Sequence, residues 1–131
     1  MNLRAEFTIA ADGLNPQAVS DLLGNAIVVY ADSSGEIWAQ KINGAGIQVW
    51  APVEIDTQTA NAETILDVQA DTLGGVVVLY RQGNDIYAQR ISTAGARQWG
   101  VNGRSFDGDG ATTVTSEETM VYDPATGDVA V

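Results

Sequence analysis

The chain reads as an all-β protein built from tandem four-stranded antiparallel units, and three observations predict this. The segment 36–50 recurs 49 residues later as 85–99, with seven of fifteen positions identical and three close exchanges (Glu36/Asp85, Trp38/Tyr87, Lys41/Arg90). A repeat of this length is one supersecondary unit copied in tandem, each copy burying its faces against the next. The runs 26–31 and 75–80 are short, apolar and β-branched, and turn residues bound them on both sides,. Helix signals are nearly absent. The one candidate, Asn15 to Leu23, ends in Asp-Leu-Leu-Gly, which fits a strand and turn equally well.

Taken in order, the turns divide each repeat into four strands. Leu23-Gly24-Asn25 and Leu73-Gly74-Gly75 precede the apolar runs; Asp32-Ser33-Ser34-Gly35 and Gln82-Gly83-Asn84 follow them,. Asn43-Gly44-Ala45-Gly46 and Ser92-Thr93-Ala94-Gly95 come next. Strands are therefore expected over 18–22, 26–31, 37–42 and 47–55, then over 64–68, 76–80, 86–91 and 96–106. The apolar runs do not alternate with polar residues, so both of their faces need cover. Residues 1–15 hold a lone strand at Leu3 to Ile9, 16–61 and 62–110 are the two repeats, and 111–131 start a third. The lone strand and the partial third repeat are expected to recruit strands from other copies or from further repeats, because unpaired strand edges are costly.

Composition narrows the function. Seventeen acids against six bases give a net charge of -11, which repels phosphate backbones and anionic membranes,. No nucleic acid and no membrane insertion are expected, since no apolar run is long enough to span a bilayer,. Cysteine and histidine are both absent, which removes thiol nucleophiles, imidazole bases and the commonest metal ligands,. We expect no enzyme activity and no cofactor. Two carboxylates suffice for glycoside hydrolysis, but the acids here mostly sit in turns (Asp12, Asp32, Asp71, Asp107, Asp109, Asp123), where Asp caps local backbone,. The pair Asp107 and Asp109 is the weak metal candidate: a calcium loop wants a third acid where Ala111 stands,.

Trp38/Tyr87 and Gln40/Gln89 fall at matching positions of the third strand, on one face. Aromatic–amide pairs of this kind form sugar platforms, the ring stacking on a pyranose and the amide bonding its hydroxyls. Recurrence in every repeat favours packing instead, and the same holds for Trp50 and Trp99.

The run Asp85-Ile86-Tyr87-Ala88-Gln89-Arg90-Ile91, with Trp99-Gly100-Val101-Asn102-Gly103 after it, resembles a repeat of large secreted bacterial proteins of the β-propeller type. The likeness covers about residues 16–110; the first repeat replaces the second motif by Trp50-Ala51-Pro52. The resemblance implies propeller-blade-like units and an extracellular or cell-surface module for adhesion, scaffolding or assembly. Propellers close with four or more blades, so the ring would be completed by remaining blades of a longer chain or by other copies. Alternatives are a β-sandwich, a carbohydrate-binding module, and part of a larger propeller glycosidase. The hairpin Asp32-Ser33-Ser34-Gly35-Glu36-Ile37-Trp38 also resembles the Asp-box of sialidase-like propellers, one residue too long.

Overall fold

In the computed structural model, which describes residues 13–58, 61–105, 121–123, 125–126 and 128–130, every regular element is a strand. The first sheet is β1 (Leu14–Ser20), β2 (Ala26–Ala31), β3 (Ile37–Ile42) and β4 (Gln48–Glu54), paired in that order. The second is β5 (Glu63–Ala70), β6 (Val76–Gln82), β7 (Asp85–Ile91) and β8 (Arg104–Ser105), again in chain order. All neighbours are antiparallel. A separate hairpin pairs β9 (Val121–Asp123) with β10 (Asp128–Ala130). Neither sheet closes into a barrel; two open four-stranded meanders fit blade-like units or a sandwich.

The segment Leu14–Ser20, ambiguous between helix and strand, is a strand with a bulge at Asn15, whose φ is 49°. Its turn starts at Leu22, with φ 67°, so the expected strand end at that residue is corrected to Ser20. The expected strand 96–106 is corrected more heavily. An isolated bridge at Arg97 and the two-residue β8 replace it, because Gly100 and Gly103 at φ 79° and 70° turn the chain between them,.

The central strands β2 and β6 are almost wholly buried. Cross-strand register explains how. Ile27, Val29 and Ala31 share a face with Lys41, Ala39 and Ile37, and this face meets Val76, Val78, Tyr80 and Ile91 of the second sheet in one apolar core. The opposite face of the second sheet holds Val77, Leu79, Ile86 and Ala88, packed with Leu66 and Trp99. Shifted by one repeat, these last four positions are those of Ile27, Val29, Ile37 and Ala39. The two units thus use equivalent positions on equivalent faces.

Candidate functional site

Each repeat builds the same turn from Asp-x-Leu-Gly. Asp21 Oδ1 accepts the backbone N–H groups of Leu23 (2.7 Å) and Asn25 (3.0 Å), while Oδ2 accepts the Asn25 amide at 2.6 Å. In the second repeat Asp71 Oδ1 accepts from Leu73 and Gly75, both at 2.7 Å. Oδ2 of each Asp also faces a cation from the third strand: Lys41 Nζ at 3.1 Å from Asp21, Arg90 Nε at 3.0 Å from Asp71. Burial opposes ionisation of Asp21, yet the Asn25 amide, the Leu23 and Asn25 N–H groups and Lys41 outweigh it and hold the carboxyl far below its usual range,.

Lys41 also joins the sheets. Its ammonium donates to the carbonyls of Gly74 (2.9 Å) and Thr93 (3.1 Å) and to Thr93 Oγ1 (3.0 Å), all in the second repeat. Beside it the Trp50 indole donates to the Thr93 carbonyl at 3.1 Å. Three turns, 21–25, 71–75 and 92–95, therefore converge on one charge, and Gly44 brings turn 43–46 against the Gly24 carbonyl.

The far end of the interface is held differently. Tyr80 donates its hydroxyl to the fully buried Asp56 at 2.7 Å, and Gln89 donates to the Ile55 carbonyl at 3.2 Å. Glu63 reaches across to accept the Ile37 N–H at 3.0 Å. Burial pushes its carboxyl up to about 8; the Ile37 bond pulls the other way, and the charges of Asp56, Glu36 and Glu54 add to the rise.

The four positions read as a possible sugar platform divide between faces and uses. Gln89 is fully buried, its amide spent on Ile55, Gly100, Arg90 and Trp99. The Tyr87 ring stacks on Tyr80 at 5.7 Å, on the face turned to the first sheet. Trp38 and Gln40 share the outer face of the first sheet with Tyr30 and Val28. The Trp38 indole donates to Asp32 Oδ2 at 2.9 Å, and Gln40 donates to Gln48 at 2.8 Å while its own buried Oε1 has no partner. In the Asp32 hairpin, Oδ1 accepts the N–H groups of Ser34 and Glu36. The carboxylate is a turn cap: burial opposes its ionisation, but these bonds and the Trp38 indole hold it below the usual value. Asp107 and Asp109 lie outside the described residues. Among the described residues no three acids are placed to hold a metal ion.

Sequence reasoning missed what the Lys41 end displays. Leu22, Leu23 and Leu73 are 72%, 76% and 60% exposed, and Ile47 is 63% exposed. Leu22 adopts its φ of 67° without the glycine that such a turn favours,. Recurrence of Asp-x-Leu-Gly in both repeats was the available signal. No family model matches the chain, and no curated protein or solved structure matches it.

Proposed function

We propose that the chain is a noncatalytic structural or interaction module of propeller-blade-like repeats, working extracellularly in adhesion, scaffolding or assembly. Its partners are further copies or further blades. One observation carries this reading: the recurring charged pairs Asp21–Lys41 and Asp71–Arg90, and Gln89, are consumed in holding turns and units together. Lys41 spends its ammonium on Asp21 and on two turns of the next unit, and Gln89 spends its whole amide inside the protein. Groups so committed are positioned for assembly rather than turnover.

A second reading, a carbohydrate-binding surface, is favoured by one feature. Trp38 and Gln40 lie on one face, and Gln40 keeps a buried, unpartnered oxygen there. A glycan array probed with the parent and with Trp38→Ala separates the two. An empty array supports the interaction module; a glycan signal that disappears in Trp38→Ala replaces it with the sugar-binding reading.

A further inference from the structure

We propose that the leucine-tipped end of the two sheets docks against the same end of a second copy of this chain. The inference rests on the interaction-module reading and names its partner and surface. Leu22, Leu23, Leu73 and Ile47 stand on turns that converge around Lys41, and each is at least 60% exposed. They add nothing to either apolar core. Scattered exposed apolar residues are ordinary; here Leu23 and Leu73 recur at equivalent turn positions, and Leu22 and Ile47 stand on turns at the same end. Leu22 further holds a left-handed backbone conformation that other residue types take more readily,. Folding gives no reason for a leucine there.

Charge selects the occupant. The charged side chains of these turns form two internal pairs, Asp21 with Lys41 and Asp71 with Arg90. Arg97, next to turn 92–96, reaches back to the Glu54 carbonyl at 2.8 Å. Among the described residues, Ser20, Asn25, Asn43, Thr72, Ser92 and Thr93 are the other polar side chains on or beside these turns, all uncharged. The opposite end carries Asp32, Glu36, Asp56 and Asp85 on or beside its turns. A chain of net charge -11 repels its own copies over most orientations,. End to end, the neutral apolar tips meet and the acidic ends point apart. Each acidic end is then a strand length of about 20 Å from the contact, more than twice the Debye length of about 8 Å at physiological salt. A two-fold contact uses the same patch on both copies.

Sedimentation equilibrium of the parent across the micromolar range tests this, beside a triple variant, Leu22→Ser, Leu23→Ser and Leu73→Ser. The expected result is a concentration-dependent dimer that added salt strengthens, and a variant whose dimerisation is at least ten-fold weaker with an unchanged melting temperature. A parent that stays monomeric overturns the inference, as does a variant that dimerises like the parent or a dimer that salt dissolves. Flotation of monomeric parent with phosphatidylcholine vesicles assigns the end to lipid and also overturns it. None of these outcomes touches the interaction-module reading, which falls only on the glycan array.

Discussion

The ammonium of Lys41 lies 2.9 Å from the carbonyl oxygen of Gly74, thirty-three residues along the chain and in the other sheet. The same nitrogen is paired with Asp21 in its own sheet at 3.1 Å, and both side chains are almost completely buried. A buried cation with one carboxylate and three further acceptors is satisfied, and removing it strands Asp21 without a counter-charge. Lys41→Met should therefore cost about 3–5 kcal/mol of unfolding free energy. Urea denaturation measures it, and the double variant with Asp21→Asn should recover part of the loss.

Arg90 makes the equivalent pair with Asp71, but its side chain is 22% exposed where Lys41 is 2%. Asp71 is as deeply buried as Asp21, but Lys41 also ties Gly74 and Thr93 of the other repeat, so Arg90→Met should cost less than Lys41→Met. Equal losses in the same denaturation experiment would show that the two pairs are interchangeable.

Glycines in the turns divide into two kinds. A Cβ at Gly75 would collide with the Ile91 carbonyl and the Asp71 carboxylate, whereas a Cβ at Gly24 meets nothing within 4 Å. Gly24 has a φ of 90°, so Gly24→Ala carries backbone strain alone, about 1 kcal/mol or somewhat more,. Gly75→Ala must move backbone or break the Asp71 cap, and should abolish cooperative folding or lower the melting temperature far more. Thermal melts of both variants check the order.

The repeat told most of the fold. Its β-branched runs at 26–31 and 76–80 had no polar alternation, which is the pattern of strands buried on both faces, and β2 and β6 are such strands. The stretch after Trp99 was less legible, because two glycines at positive φ break a segment whose composition still suits a strand. The ion pairs were hidden for another reason. Asp21 and Lys41 are twenty residues apart, and only the pairing of β1, β2 and β3 brings them together. The exchange of Lys41 for Arg90 hinted that the charge mattered, without naming its partner. Recurrence of Asp-x-Leu-Gly marked Leu23 and Leu73, but not their exposure, since leucine after a turn Asp reads as core until the turn geometry is known.

Tyr80 and Asp56 should be separable in energy. Tyr80→Phe keeps the ring against Tyr87 and deletes only the 2.7 Å donor to a carboxylate that is fully buried. Loss of a hydrogen bond to a charged group costs about 1.5–3 kcal/mol. The Gln58 N–H still donates to Asp56 at 2.7 Å, so the value should fall in the lower half of that range. Chemical denaturation gives the number, and a loss near zero would mean that water replaces the hydroxyl.

Stability should fall as pH rises from weakly acidic to weakly alkaline, with Glu63 the main group responsible and Glu36, also raised by burial, acting in the same sense. Its carboxyl titrates near 8 in the folded protein against a reference of 4.5. Between those values the folded state holds a proton that the unfolded state has released, so unfolding free energy declines with pH across that window. Below about 4.5 both states are protonated and the term is fully present; above about 8 it is lost. Asp21 acts in the opposite sense: its lowered folded value gives stability above its reference of 3.8 that disappears as pH falls below it,. The two together put the maximum on the acidic side of neutral and make the alkaline slope the diagnostic one. Glu63→Gln keeps an oxygen to accept the Ile37 N–H and cannot ionise, so its melting temperature should vary much less between pH 5 and 8. Melting curves of parent and variant across that range decide it. A parent that is flat over the window overturns the prediction, and a variant that retains the parent's slope moves the proton to Glu36, whose carboxyl burial also raises.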